Sequence, residues 1–276
     1  MTIASEQRDE IARHLASVPN AIEDFIDGLR RWELWGALGW HDIRQRYRRS
    51  VIGPFWLTIS MGVMVFGLAY VYGAIFSQPL DKYLPYVAVG MIVFGLITSI
   101  ANDASQVFIL ASRTILQTRA PLSLYVYQML WRNLLIFAHN ALIYLLIIPF
   151  FPVGLGLVSL LALLGLLLVI VMGAFVGVIL ATLSARFRDV PPIVNSVTQI
   201  AFFLTPIFWT PSALKGREEF IYFNPFYYVL EVIRMPLLGE VPPPTVWLVV
   251  IGMTILAGVV AVLFFARFRA RIAYWV

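Results

Sequence analysis

After residue 50 long apolar runs alternate with short charged ones, and the run lengths set the first expectation. A bilayer core about 30 Å thick takes about 20 helical residues to cross. Residues 50–80 carry no Asp, Glu, Lys or Arg, which predicts a span of about 54–76. Residues 83–102 form the next run; it can continue past Asp103 to Leu110, giving a span of about 84–110. Residues 133–185 are free of those charges for 53 positions, too long for one crossing. Pro149, Pro152, Gly154 and Gly156 divide that stretch into spans of about 126–149 and 156–184. Two further runs give spans of about 191–209 and 244–266. The expected fold is therefore all-α and integral to a membrane, a domain of six transmembrane helices over residues 54–276.

Residues 1–53 are polar and charged, unlike a secretory signal, and are assigned to a cytoplasmic tail carrying an amphipathic interface helix. Ile22, Phe25, Ile26 and Leu29 recur at helical spacing, followed by Leu34, Trp35 and Leu38. Such a helix would lie in the membrane surface, with Trp32, Trp35 and Trp40 at headgroup depth. Arg44, Arg46, Arg48 and Arg49 then precede Gly53-Pro54. They read equally as a topogenic, lipid-contacting cluster and as part of a rigid elbow beside a cytoplasmic partner.

Composition narrows the class. Charged residues are 13% of the 276-residue chain and hydrophobic ones 61%, against about 25% charged in soluble domains. A soluble enzyme and a disordered chain are both excluded. There is no cysteine, hence no disulfide and no thiolate chemistry. Of 20 cations 18 are arginine, and with an inside N-terminus 15 fall on inner segments against 4 on outer ones. That asymmetry places both termini in the cytoplasm and argues against nucleic acid as the reason for the basic balance.

Three segments depart from a plain bundle. Residues 111–125, between spans two and three, are long enough for a short cytoplasmic helix along the membrane face, a lever for a docked partner. Residues 210–240 are too short to cross twice and carry Glu231 and Arg234, which predicts outer re-entrant helices. Around them cluster Phe202, Phe203, Phe208, Trp209, Tyr222, Phe223, Phe226, Tyr227 and Tyr228. These serve either as an interfacial anchor belt or as faces on which sugar rings stack. Within the spans, Asp103 and Arg132 fall at similar depth and are expected to form a structural pair. No carboxylate relay crosses the membrane, so ion-coupled transport lacks its usual groups.

Catalytic motifs are missing as well. Lys82 is followed by Tyr83 and Lys215 by Gly216, so no Walker A loop exists. His14, His41 and His139 are far apart and suggest no metal cluster. Energy for uphill transport would come from a partner chain, which would bind the ATP and magnesium; the chain itself is expected to hold no cofactor and to catalyse nothing.

Four stretches, in order, resemble a known family. WELWGALGWHDIRQRYRRSVIGPFWLTISMGVMVFGLAYVYGAIF resembles the opening of the membrane subunit of polysaccharide and polyol-phosphate ABC exporters, of the type-2 exporter superfamily. RTILQTRAPLSLYVYQMLWRNLLIFAHN is similar to that family's coupling segment and third span, and FFLTPIFW and NPFYYVLEVIRMPLLG to its fifth span and outer re-entrant region. The resemblance implies a homodimer joined to two copies of an ABC ATPase subunit in the bacterial inner membrane. A channel at the dimer interface would export a lipid-linked polysaccharide. O-antigen is the first candidate, on the likeness of SLYVYQMLWRNLLIFAHN, with capsule or teichoic acid next. It further implies that residues 22–40 and 112–121 contact the ATPase, with Arg113, Thr114, Gln117 and Arg119 in the coupling segment, and that the nine outer aromatics line the glycan path. A drug or lipid exporter of the same superfamily is the alternative; a membrane-embedded glycosyl or acyl transferase lacks a polar catalytic set.

Overall fold

A computed structural model describes residues 17–46, 48, 53, 55–118, 120–151, 153–214 and 216–276, with the side chains of residues 46 and 218 outside the description. Among these residues the chain forms helices and turns and no strand. Five segments are long and apolar enough to cross a membrane. They are α3 (Phe55–Ile75), α4 (Leu80–Ala104), α7 (Ser123–Ile147), α8 (Leu161–Arg186, led by a 3-10 turn at Leu157–Leu160) and α11 (Pro244–Trp275). Before them lie α1 (Val18–Arg30) and α2 (Trp32–Arg46); between α4 and α7 lie the short α5 (Val107–Leu110) and α6 (Ser112–Gln117). Helix α9 (Val190–Leu204), 3-10 turns at Pro211–Leu214 and Glu218–Phe223, and α10 (Pro225–Leu237) occupy the stretch before α11.

Helix α4 is the axis of the bundle. It packs against α3, α7, α8, α9 and α10, and Val87, Ala88, Val89 and Val93 are sealed from every side. A helix apolar all round is what a central position demands, since no stripe of it meets solvent. By contrast α3 buries only Thr58, Val65, Ala69 and Gly73. That is one stripe at helical spacing; Val63, Phe66, Tyr70 and Val71 face outward. The close approach of α8 to α10 depends on Gly165, where a Cβ would stand 2.5 Å from the Val232 carbonyl oxygen.

Four boundaries differ from the sequence expectation. The 22–40 helix is two helices, broken at Arg31, whose N–H returns to the Asp27 carbonyl. The second span does not run to Leu110. It turns at Ser105–Gln106, where Ser105 Oγ donates to the Asn102 carbonyl at 2.7 Å and competes with the helical ladder. The fifth helix stops at Leu204 rather than near Trp209. Pro206 disfavours helical backbone in the residue before it, and Thr205 is extended (φ −94, ψ 137). The last helix does not end at residue 266: it runs unbroken through Arg267, Arg269 and Arg271 to Trp275. Arginine favours helix, and this extension is packed, with Phe265 and Ile272 fully buried.

Candidate functional site

The residues singled out from sequence gather at the two ends of the bundle. At the N-terminal end α1 and α2 lie along the first turns of α7, and α1 also meets α11. Gly39 of α2 fits against Gln128 and Trp131 of α7, leaving no room for a side chain. Trp35 turns inward, 6.4 Å from Tyr127 and 6.1 Å from Trp131 between ring centroids. It is half-buried between them, whereas Trp32 and Trp40 are exposed. Arg44 and Arg48 are exposed as well, and Arg49 lies outside the described residues.

Polar contacts tie α2, α7 and α4 together. Asp42 accepts from Gln128 Nε2 at 2.8 Å and pairs with Arg132 Nη1 at 3.4 Å. Arg132 Nη2 reaches Asp103 Oδ2 at 2.9 Å, and Asn133 Nδ2 donates to the same oxygen at 3.0 Å. Arg132 thus bridges two carboxylates on different helices, and Asp42 is the partner that sequence reading missed. The depth argument that paired Asp103 with Arg132 could not reach Asp42, which precedes the first span.

Helix α6 buries none of its residues; Arg113, Thr114, Leu116 and Gln117 face outward. Arg119 lies outside the described residues. Thr118 anchors the helix end by donating to the Thr114 carbonyl at 2.8 Å and lying 3.3 Å from the Tyr125 hydroxyl on α7. An exposed six-residue helix anchored at its C-terminal end to a long one can pass a push from outside into α7.

The opposite end is aromatic, and its organising charge is Arg234. This residue is 1% exposed. Its guanidinium pairs with Glu231, donates from Nη1 to the Pro206 carbonyl at 2.6 Å, and lies 4.1 Å from the Tyr86 ring centroid. The Tyr86 hydroxyl donates to the carbonyls of Pro206 and Trp209 at 3.0 and 3.1 Å, and the Tyr83 hydroxyl donates to that of Phe208. Residues 205–208 are buried and non-helical, so their carbonyls have no ladder to join. Two tyrosines and one arginine supply the missing donors. Sequence reading saw Arg234 and Glu231 only as charges that forbid a crossing. The signal for their pairing was the i, i+3 spacing on one helix.

The nine aromatics separate into a packed set of five and an outward set of three, with Tyr227 between them. Phe202, Phe208, Trp209, Phe226 and Tyr228 pack on or within the main apolar core, Phe202 lying 5.8 Å from Phe94 and 5.4 Å from Phe208. Tyr227 wedges edge-on between Tyr222 and Tyr228. Phe203, Tyr222 and Phe223 face out, at 66%, 60% and 86% exposure. An open cavity of about 720 Å³ lies between α9 and residues 209–226. Phe203, Trp209, Phe220, Phe223 and Phe226 line it with Arg217 and Asn224. Phe220, outside the nominated set, is 74% exposed. Among the described residues no three His, Asp or Glu side chains converge as a metal site would require.

Five apolar helices long enough to cross a membrane, with an exposed short helix at one end and an aromatic cavity at the other, describe a multi-pass membrane protein. The model of the family described as ABC-2 type transporter matches residues 33–238, and the chain belongs to that family. Comparison with curated proteins returns no match. The protein is thus a permease of the ABC-2 type, a transport rather than a catalytic subunit, in a family that normally works with an ABC ATPase.

Proposed function

We propose that this permease exports a lipid-linked polysaccharide, O-antigen first and capsule or teichoic acid next. It does so as a homodimer with two ATPase subunits in the bacterial inner membrane, with both termini cytoplasmic. The supporting observation is the open aromatic cavity of about 720 Å³ beside α9, whose lining among the described residues carries a single charge, Arg217. A hydrated polymer cannot dissolve in hydrocarbon and needs a protein-lined path. Aromatic faces stack on sugar rings without reading each unit closely, and a scarcity of fixed charge lets repeating units slip past. Export of a lipid is the second reading. It is favoured by a separate cavity of about 320 Å³ between α4, α8, α9 and α10, whose lining is apolar except for Thr198.

The test replaces Phe203 and Phe223 together by alanine and measures surface polysaccharide beside the amount of assembled permease–ATPase complex. Both rings are exposed, so assembly stays intact while export falls. Normal surface polymer in that variant rejects the aromatic path. Replacing Tyr227 and Tyr228 instead lowers export less cleanly, because Tyr228 packs on the core and its hydroxyl donates to the Tyr222 carbonyl at 3.0 Å.

A further inference from the structure

Asp24 is 3% exposed on a helix whose sequence pattern puts apolar residues, not acids, on the face to be buried. The structure buries Ala21, Asp24 and Gly28, with Phe25 beside them packed against Phe265, while Ile22, Ile26 and Leu29 face out. Asp24 Oδ1 accepts from the Ser123 N–H at 3.0 Å and Oδ2 from the Leu122 N–H at 3.2 Å. Oδ2 also takes Arg269 Nε of α11 at 2.8 Å. In return Ser123 Oγ donates to the Asp24 carbonyl at 2.6 Å.

These contacts make one joint from three elements. Helix α7 begins at Ser123, and Leu122 before it offers no capping side chain. Its first N–H groups are therefore orphans, and a carboxylate about 100 residues earlier satisfies them and meets the positive end of the helix dipole. The same carboxylate holds α11 at Arg269, in the last two turns of that helix. Backbone contacts reinforce it: Tyr127 OH donates to the Phe25 carbonyl at 3.1 Å, and Ser17 Oγ to the Ala266 carbonyl at 3.0 Å. The segment that leaves α6 enters this joint at Leu122, so α1, the connection from α6, the start of α7 and the end of α11 meet at one side chain.

We infer that Asp24 is a positioning residue of the transport cycle, the joint through which movement of α6 and α1 reaches α7 and α11 together. The inference rests on the reading of α6 as the ATPase-driven lever. Arg269 is 40% exposed, so its arm of the joint is the one that can open while the α7 cap stays made.

Asp24→Asn keeps the shape and removes the charge. In complexes with the ATPase subunit it is expected to leave hydrolysis within about twofold of wild type and to cut polysaccharide exported per ATP about tenfold. Arg269→Gln cuts it about threefold, and the double variant is no worse than Asp24→Asn alone, since both act on one link. Unchanged export per ATP in Asp24→Asn overturns the inference, and so does a loss that merely follows the amount of assembled complex.

A second variant separates the joint from folding. The chain has no cysteine, and a Cβ on Gly28 would stand 3.2 Å from that of Ser123, close to disulfide spacing. In the Asp24→Asn background, Gly28→Cys with Ser123→Cys is expected to regain about threefold in export, the α1–α7 share of the loss, when oxidised with copper phenanthroline and to lose it on reduction, while the Arg269 share stays lost. Equal export in both states, with cross-linking verified, overturns the inference. Failure of the glycan reading shows separately, as wild-type complexes that hydrolyse ATP and move no polysaccharide. The joint is then read from maleimide labelling of a single Tyr222→Cys with and without ATP. A response to ATP that Asp24→Asn abolishes supports it; the same labelling in wild type and variant overturns it.

Discussion

Each end of the bundle is organised around one buried charge of opposite sign, and the two are built differently. Both serve the same elementary need, because each stands where a helix is interrupted and backbone groups lose their ladder partners. Asp24 takes the free N–H groups at the start of α7; Arg234 takes the Pro206 carbonyl in the broken stretch after α9. The counter-ion of Arg234 is Glu231, three residues back on the same helix and itself buried. The counter-ion of Asp24 is Arg269, partly exposed and on another helix. A pair carried by one helix cannot separate when helices move. A pair that joins two helices can, and on the inference drawn above this makes the aromatic end the frame and the N-terminal end the adjustable one.

This contrast is open to breakage, most forcefully at Arg234. Arg234→Leu leaves the buried Glu231 without its counter-ion and the Pro206 carbonyl with Tyr86 alone, and about 3–5 kcal/mol is expected to be lost. Thermal unfolding of the detergent-solubilised permease reads it. Arg234→Leu with Glu231→Leu recovers much of that loss. If the double variant is as unstable as the single one, the pair is not what holds this end.

Gly165→Ala comes next, at about 1–3 kcal/mol, because its methyl group meets the Val232 carbonyl. A stability equal to wild type would show that α8 and α10 can part there, against the idea of a rigid frame. Tyr86→Phe removes the donor to two carbonyls and keeps the ring over Arg234, with about 1 kcal/mol expected from the same unfolding experiment. The smallest effect on stability belongs to Arg113→Gln on the exposed α6, within about 0.5 kcal/mol. Hydrolysis and export measured together in that variant sharpen the comparison: they separate if α6 is the lever and stay coupled if it is only a connection.

Sequence made the long elements plain. The apolar runs behind α3, α4, α7, α8 and α11 exceed what any soluble core helix needs, and all five appear as helices near the expected places. What it hid was tertiary. A charged triplet at Arg267, Arg269 and Arg271 reads as the end of a crossing, yet α11 continues because Asp24 and the buried Ile272 give that extension something to pack on. Asp24 itself reads as the polar edge of an amphipathic helix. Its burial depends on partners at Leu122 and Ser123 that no local pattern reveals, although small residues at 21 and 28 flank it as a close contact requires. Of the nine aromatics, composition gave the cluster, while the division into packed and outward rings came from where α9 stops. Thr205 and Pro206 set that stop locally, and the partners of the Pro206 carbonyl, Tyr86 on α4 and Arg234 on α10, are distant in sequence.

The early stop of α9 also bears on the surrounding lipid. Fifteen helical residues span only about 22 Å, well short of the hydrocarbon thickness. Ile193, Val197, Ile200 and Leu204 nonetheless present an oily flank. Hydrophobic mismatch of this kind draws the neighbouring leaflets together. Acyl tails pinched beside α9 would make it the thinnest point in the membrane around this protein, and reconstitution into shorter-chain phospholipids would relieve the pinch.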